Sequence, residues 1–354
     1  MRVSVLVSFH NHEPLVRRVA ESALAQDFDD YEVVFVDDAS EDGSFEVLQK
    51  TVSEFRGFRG RRVTCLRNES NLGIVGTFNR LMAESSGELC VVHCGDDIAH
   101  PDRVSEIVRC WDEAAKRHPN VAAAMTRCRL VDGDLRALFP ASADEPAGWR
   151  VVSGDSTWDG GLAYHGAAAV YSRRLYDRFG AMDPRAKFED GLMFFRLALV
   201  GDLLLINERL FDYRSVDGAS TTYHATLRSM ADAAVKDVGT VRQQLKDLAA
   251  VERTADGHDR ARFCRYRDEL TRRLHWQELF VTLMLGAGAE RRAAIREVVR
   301  ALPSDRSMRR LLAFTLPRPL VRAIVWLRGT WGNRRWRSRV RRLEGYLDFG
   351  GGLA

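Results

Sequence analysis

The strongest constraint on the fold is a set of three apolar runs in the first hundred residues, two of which end in a pair of aspartates. The runs lie near residues 2–9, 31–36 and 89–94, and the pairs are Asp37-Asp38 and Asp96-Asp97. Such valine-rich runs are typical of strands that are buried on both faces. Segments with helical periodicity separate them, and this alternation predicts a parallel sheet. We therefore expect an α/β fold: a Rossmann-like, mostly parallel sheet flanked by helices and followed by a C-terminal α-helical region.

The aspartate pairs lie at the sheet edge where open α/β folds bind their ligands. Carboxylate oxygens at this edge suit Mg²⁺ or Mn²⁺ bound together with substrate phosphates. A structural interpretation competes with this one. Asp96 and Asp97 could cap a helix predicted over Pro101–Val108, and Asp37 and Asp38 could lie in the N-terminal turn of a helix.

The charge distribution is a second indication of a metal ion. The net charge is +4, but the segment 306–342 contains twelve arginines and no acidic residue, so the rest of the chain carries about −8. An acidic body binds an anionic nucleotide poorly unless a divalent cation mediates the contact.

The cysteines do not predict a zinc site. Cys90 and Cys94 share one face of the predicted strand whereas His93 points to the other, and no second cysteine pair follows at a suitable spacing. We expect six reduced cysteines. Since no leader-like segment precedes the first strand, we expect a cytoplasmic protein.

The arginine-rich C-terminal tail allows several interpretations. It interleaves arginine with tryptophan and aliphatic residues, and no apolar run approaches the roughly 20 residues that cross a bilayer. A basic amphipathic helix of this kind can lie on an anionic membrane surface, which would make the protein peripheral at the inner face of the cell membrane. The alternative is a helical subdomain with a solvated basic face. No nucleic acid partner is expected, because no nucleic-acid-binding module accompanies the tail.

Five short segments, in order along the chain, carry a resemblance to a known family. The chain resembles an inverting family-2 glycosyltransferase of the GT-A fold, and is closest in style to the bacterial spore-coat polysaccharide type. The resemblance covers roughly residues 1–222. Its segments are Ser4–Asn11, Val36–Ser40, Asn71-Leu72-Gly73 with Asn79, Gly95–Ile98 with Pro101-Asp102-Arg103, and Phe188–Gly191 with Phe194–Leu197.

The resemblance implies roles for residues that match the family's segments. Ser8 is expected to contact the nucleotide base and Asp38 to accept a hydrogen bond from a pyrimidine ring. Asp96 is expected to hold the ribose and to lie at the metal, with Asp97 as the main metal ligand. The family often has an acid two residues before the first of these aspartates, where this chain has Cys94. The metal site therefore depends mainly on Asp97.

The acidic pair Glu189-Asp190 matches the family's catalytic segment. The resemblance implies that Asp190 is the general base, with Glu189 as its supporting neighbour. A carboxylate that takes the proton of the attacking hydroxyl typically contributes about 10²–10⁴-fold to the rate. The structural alternative is that the pair simply begins a helix before Leu192.

Four further residues are candidates with open alternatives. His165 faces the acceptor or is a core histidine. Arg214 contacts the diphosphate or forms a surface salt bridge. Glu13 and Asn71 line the nucleotide pocket or cap loops.

The expected organisation is a GT-A domain over residues 1–225, with a donor half (1–132) and an acceptor and catalytic-base half (150–225). Residues 226–354 form a helical region that includes the basic tail. The polar segment 215–222 is expected to order over the donor as a lid.

We expect a metal-dependent inverting glycosyltransferase that uses a UDP-sugar or, as second choice, a dTDP-sugar, with Mn²⁺ or Mg²⁺ as cofactor. The acceptor is a glycan or a lipid-linked molecule. The alternatives are a sugar-1-phosphate nucleotidyltransferase and a non-catalytic GT-A-fold binding or scaffold protein. The first segment lacks the glycine-rich phosphate loop of a nucleotidyltransferase.

Overall fold

The computed structural model describes residues 2–55, 61–138, 148–158, 165–214 and 227–301 of the 354-residue chain. These residues form two compact units. The first contains the described residues of 2–184 and 188–214. The second contains Arg185–Lys187 and the described residues from 227 onward. The predicted lid over 215–222 and the basic tail over 306–342 lie outside the described residues.

The first unit begins with strands that alternate with helices. These elements are β1 (Val3–Phe9), α1 (Glu13–Leu24), β2 (Tyr31–Asp37), α2 (Ser44–Glu54), β3 (Val63–Arg67), α3 (Gly73–Glu84) and β4 (Leu89–Cys94). Every residue of β2 is buried, and β1 and β4 are buried except for Ser8 and Cys94 near their carboxyl ends. Their continuous apolar runs therefore reflect a sheet that is covered on both faces.

The rest of the first unit extends this sheet. Its elements are β5 (Ile98–Ala99), α4 (Arg103–Ala115), β6 (Val121–Val131), β7 (Trp149–Ser153), β8 (Ala169–Ser172), α5 (Arg173–Phe179), α6 (Glu189–Val200) and β9 (Asp202–Arg214). Within the described residues, the strand order is β3-β2-β1-β4-β8-β6-β9-β5, with β7 also paired to β9. Strands β5, β7 and β8 run antiparallel to their neighbours, and the others share one direction. The predicted mostly parallel α/β sheet is confirmed.

This topology places the carboxyl ends of the central strands side by side. Ser8 of β1 pairs with Val36 of β2 on one side and with Cys94 of β4 on the other. The residues after these positions, including both aspartate pairs, therefore emerge at the same edge. The chain reverses its direction of winding between β1 and β4, and such a switch point is where doubly wound folds bind ligands.

The second unit is helical, as expected. It contains α7 (Leu227–Glu252), α8 (Gly257–Leu285) and α9 (Gly288–Ala301), which share a small apolar core that includes Ala231, Leu283 and Val298. Helix α8 begins at Gly257, where Asp256 caps it by accepting a hydrogen bond from the Asp259 N–H. In the parts of the chain that the structure describes, no helix has the length and apolar character needed to cross a membrane.

Candidate active site

The site begins at a tight turn after β4. The Asp97 N–H donates to the carbonyl of Cys94 at 3.2 Å, which closes the turn. Gly95 allows the turn to press against β1, because a Cβ at this position would lie 2.3 Å from the Ser8 carbonyl oxygen and 2.7 Å from Nδ1 of His12. The glycine therefore places Asp96 and Asp97 directly beside the end of β1.

Asp97 is a fully buried carboxylate that lacks a complete set of partners. Its side chain is 0% exposed, and its Oδ1 accepts a hydrogen bond from the Arg214 N–H at 3.1 Å. Its Oδ2 has no hydrogen-bond partner among the described residues. Burial, together with the charge of Asp96, holds the pKa of Asp97 well above its ordinary value, against the charges of Arg103 and Arg214. A carboxylate in this state is stabilised by a further positive charge.

The capping interpretation does not apply to these two aspartates. Helix α4 begins at Arg103, with Asp102 at its N-cap position. Asp97 contacts the end of β9 instead, and Asp96 is partly buried beside it.

The donor atoms around Asp97 fit a divalent cation. Among the described residues, Cys94, Asp96 and Asp97 each offer one ligand atom, and these atoms lie within 4.8 Å of one another. The unpartnered buried oxygen and the two carboxylates suit Mg²⁺ or Mn²⁺. Cys90 and His93 do not belong to this group, since Nδ1 of His93 instead receives a hydrogen bond from Arg103 at 3.0 Å. The rejection of a Cys90-His93-Cys94 zinc site therefore agrees with the geometry.

The end of β9 lies beside Asp97. The Tyr213 ring packs edge-on against the ring of His165, with 4.5 Å between the centroids. Burial lowers the pKa of His165 to about 4, so this histidine is neutral at physiological pH. Arg214 is partly buried, and its charge acts on Asp97 and His12. Arg214 thus lies within the site. This position differs from the one that a surface salt bridge, the alternative role, would require.

The acidic pair lies in the first turn of α6 and faces a glycine. Asp190 accepts hydrogen bonds from the Gly166 N–H at 3.1 Å and from the Gly191 N–H at 2.6 Å. A Cβ on Gly166 would lie 2.9 Å from Oε1 of Glu189, so only glycine leaves room for both carboxyl groups. Gly166 directly follows His165, whose ring packs on Tyr213 next to the Arg214 N–H that binds Asp97, so these contacts connect the pair to Asp97. The pair therefore begins a helix and also lies in the site.

The two acids of this pair differ in their surroundings. Burial, followed by the charge of Asp190, raises the pKa of Glu189 to about 8. Burial also raises the pKa of Asp190, but its two backbone donors oppose this effect by stabilising the charged form. At neutral pH Glu189 therefore retains its proton, and Asp190 is the better candidate for the charged partner.

Asp38 stabilises the loop that precedes α3. Its Oδ1 accepts hydrogen bonds from Asn68 and from the Leu72 N–H, both at 2.7 Å, and its Oδ2 accepts one from the Gly73 N–H at 2.9 Å. The carboxylate thus lies at the N-terminus of α3, where the helix dipole favours it. Asp38 thus has the structural role that was the alternative to nucleotide binding, at the N-terminal turn of a helix. About one acceptor position of its carboxylate remains free.

The remaining nucleotide candidates surround the ends of β1 and β2. Asn71 donates to Nε2 of His10 at 3.1 Å, and Nδ1 of His10 donates to the Asp38 carbonyl at 2.9 Å. Glu13, in the first turn of α1, accepts a hydrogen bond from the Gly43 N–H at 2.9 Å. Glu13 and Asn71 therefore do stabilise loops, and they do so beside the carboxyl end of β1, where Ser8 is partly buried.

Comparison with known proteins identifies the family. The model of the family described as glycosyl transferase family 2 matches residues 4–180, half of the chain, and this segment contains the strand ends and the Asp96-Asp97 turn. The chain belongs to glycosyltransferase family 2. It is 26% identical to an uncharacterized glycosyltransferase of Nostoc sp. strain PCC 7120 over 266 residues, which are 72% of this chain and 73% of that protein. It is also 26% identical to the cholesterol galactosyltransferase of Borreliella burgdorferi over 96 residues, 27% of this chain and 25% of that one.

Solved structures agree on the fold of this family-2 glycosyltransferase. The crystal structure of S. aureus TarS 1-349 in complex with UDP-GlcNAc superposes with a TM-score of 0.56 at 15% identity, covering 96% of this chain and 92% of that one. This likeness concerns the fold alone. It agrees with the expected GT-A architecture, and the family membership identifies an enzyme of the glycosyltransferase class.

Two residues of this glycosyltransferase's site were missed from the sequence. His12 follows β1 next to Gly95, where burial lowers its pKa and the charge of Asp96 opposes that effect. Tyr213 is the last residue but one of β9, and burial and the charge of Asp97 raise its pKa. The available signal was position alone, at a strand end on the ligand-binding edge.

Arg103 is the third missed residue and the largest fully buried side chain near the site. Its guanidinium donates to the carbonyls of Val92 at 3.0 Å and Ala167 at 2.8 Å, and it lies 4.5 Å from the centroid of the Phe211 ring. Burial lowers its pKa to about 10, so it remains charged at neutral pH. It therefore supplies a fixed positive charge that acts on Asp97.

Proposed function

We propose that this glycosyltransferase is a metal-dependent, inverting enzyme that moves a sugar from a nucleoside-diphosphate sugar to an acceptor hydroxyl of a glycan or glycoconjugate. The observation that carries the proposal is the buried Asp97 carboxylate, whose Oδ2 has no partner among the described residues and which is connected to Asp190 through Arg214, Tyr213, His165 and Gly166. The Asp97 carboxylate is suited to hold a cation beside the leaving diphosphate, and the Asp190 carboxylate is suited to take a proton.

Asp97 and Asp96 would hold the cation, which is Mn²⁺ or Mg²⁺. When bound, it acts as a Lewis acid that neutralises the charge developing on the leaving diphosphate. Arg214 adds a positive charge on the same side, since its backbone N–H binds Asp97 and its charge acts on the carboxylate. We propose that its side chain contacts the diphosphate of the donor.

Asp190 is the proposed general base. The Gly166 and Gly191 N–H groups fix the orientation of its carboxylate, and burial raises its pKa, which makes it a stronger base. Glu189 keeps its proton at neutral pH, so it can donate a hydrogen bond and does not compete for the acceptor proton. The acceptor hydroxyl would lose its proton to Asp190 as it attacks the anomeric carbon.

The donor nucleotide is proposed to be UDP, with dTDP as the second choice. The free acceptor position of Asp38 can receive the N–H of a pyrimidine ring, and Ser8, Asn71 and Glu13 lie around the same strand ends. TarS, which shares the fold, was crystallised with UDP-GlcNAc.

His165 is proposed to face the acceptor. It is neutral and held by Tyr213, so it can exchange hydrogen bonds with a hydroxyl without adding charge. If the acceptor is lipid-linked, binding of the basic tail to the membrane surface would bring the enzyme to its acceptor. This contact between the tail and the membrane stays a prediction.

The test compares Asp190→Asn with Asp177→Asn, a control that changes an exposed aspartate on α5. Removing the base should lower turnover of a UDP-sugar by about 10²–10⁴-fold while nucleotide binding stays within a factor of two or three. The control should behave like the wild type. Unchanged turnover in Asp190→Asn would show that another group is the base, and retention of configuration in the product would refute the inverting mechanism.

A further inference from the structure

Cys94 occupies a position where its sulfur can reach the proposed cation. It is the last residue of β4, and its Sγ lies within 4.8 Å of a carboxylate oxygen of Asp96 and of one of Asp97. Two ligand atoms bound to one ion at about 2.0–2.3 Å are at most about 4.6 Å apart. A small adjustment of the side chains would therefore bring all three atoms onto a common ion.

An independent observation shows that this position requires a ligand. Asp97 is 0% exposed, and its Oδ2 has no hydrogen-bond partner in the described part of the chain. A buried carboxylate oxygen without a partner is costly. The Asp97 Oδ1 is already bound to the Arg214 N–H, so Oδ2 is the atom free to bind an ion.

The thiol itself is available for such a role. Cys94 is a free, partly buried cysteine that packs at the edge of an apolar cluster formed by Ala167, Ala168 and Phe211. The cluster holds the side chain in place but leaves the sulfur close to the two carboxylates. When a thiol binds a cation, it releases its proton to solvent and the sulfur lone pair forms the bond to the metal.

We propose that Cys94 is a third protein ligand of the divalent cation, and that its sulfur makes the site favour thiophilic ions such as Co²⁺, Zn²⁺ and Cd²⁺ over Mg²⁺. The inference rests on the proposed function, which places the cation at Asp96 and Asp97. Thiolate ligands select soft and borderline metals, whereas carboxylates alone suit Mg²⁺ and Mn²⁺. The departure from an acid at position 94 would thus change metal selectivity without removing the site.

The chain offers a matched control in Cys128. It packs against the same apolar cluster as Cys94, and the charge of Asp97 also raises its pKa. It is not one of the three residues whose ligand atoms converge. A serine at position 128 therefore changes a buried thiol of the same neighbourhood and leaves the proposed ligand in place.

The experiment is a titration of the full-length protein with Co²⁺ in the presence of UDP. A cobalt–thiolate bond gives a charge-transfer band in the near-ultraviolet that cobalt bound only to oxygen lacks. We expect this band in the wild type and in Cys128→Ser, and we expect its loss in Cys94→Ser. In Cys94→Asp, the ratio of Cd²⁺ affinity to Mg²⁺ affinity should fall at least tenfold.

The outcomes separate this inference from the proposed function. Bound Co²⁺ without the band in the wild type, or a band that persists in Cys94→Ser, would overturn the role of the thiol. In that case, Co²⁺ binding that is lost in Asp97→Asn would still support the proposed metal site. Co²⁺ binding that is equal in wild type and Asp97→Asn would overturn both.

A second readout applies if the serine variant does not fold. Bound Co²⁺ should slow alkylation of Cys94 by iodoacetamide in the wild type, as followed by mass spectrometry. Labelling of Cys264, on α8, should not change. Equal labelling of Cys94 with and without Co²⁺ would contradict the proposal.

Discussion

Replacing Glu189 by glutamine should make the protein more stable than the wild type, and increasingly so as the pH rises. Glu189 is 8% exposed, and burial and the charge of Asp190 raise its pKa from 4.5 to about 8. One pKa unit corresponds to about 1.4 kcal/mol, so the whole shift sets an upper bound of about 5 kcal/mol. Because Asp190 titrates with Glu189 as a pair, we expect about 2–4 kcal/mol.

The sign follows from proton binding. Between pH 4.5 and 8 the folded protein holds a proton on Glu189 that the unfolded chain has released. The stability that this proton represents is full below pH 4.5 and is lost as the pH rises through about 8. Glutamine does not titrate. The advantage of Glu189→Gln over the wild type should therefore grow across this interval and level off above it.

Urea unfolding at a series of pH values between 4.5 and 9, with EDTA present, measures this difference. Glu88→Gln, the same replacement at an exposed glutamate, is the matched control. A stability difference between Glu189→Gln and wild type that stays constant across the range would refute the reasoning, because it would mean that Glu189 is ionised in the folded protein.

Two further substitutions test the packing of the site. Gly95→Ala should lower the free energy of unfolding by about 3 kcal/mol, because the new Cβ would lie 2.3 Å from the Ser8 carbonyl oxygen. The melting temperature checks this prediction. Gly257→Ala is the control, because no atom lies within 4 Å of a Cβ at that position. Arg103→Met should lower the free energy of unfolding in urea by about 2–4 kcal/mol, since it removes the donor to the Val92 and Ala167 carbonyls and one of the positive charges that act on Asp97; a cost below about 1 kcal/mol would contradict the proposed role of that charge.

The sequence was sufficient to predict the parts of the fold that depend on local pattern. The apolar runs of β1, β2 and β4 identify buried strands, and parallel topology then requires their carboxyl ends to meet, which places Asp96 and Asp97 beside the end of β1. The chain order of the segments, together with the family resemblance, predicts Asp190 as a site residue. The long-range contacts that define its surroundings were not predictable from such patterns.

Arg103 illustrates why those contacts were missed. An arginine in an amphipathic helix ordinarily lies on the solvent side, so its pattern in α4 predicts exposure. In the structure its partners come from β4, from the turn before β8 and from Phe211 of β9, which are far apart in sequence. Likewise, the hydrogen bond from the Gly166 N–H to Asp190 joins two segments of the chain. The pattern of apolar residues along the sequence does not indicate that these segments lie close together.

Cys94 shows a different limit. From the sequence, Cys94 is a departure from the family's acid on a predicted strand. The structure shows that it is the first residue at the end of β4 that is only partly buried, beside two carboxylates. Whether a residue is buried inside a strand or emerges at its end depends on where the strand stops, which sequence patterns place only within a few residues.

Calorimetric titration of the wild type and Asp97→Asn with UDP, dTDP and GDP, each with and without Mn²⁺, tests whether Asp97 holds the cation of the donor site. We expect UDP to bind the wild type only when Mn²⁺ is present and Asp97→Asn to lose this binding, whereas Asp102→Asn, which changes the exposed N-cap residue of α4, retains it. Nucleotide binding that needs no cation, or that is unaffected by Asp97→Asn, would contradict the assignment of Asp97 as the metal ligand of the donor site.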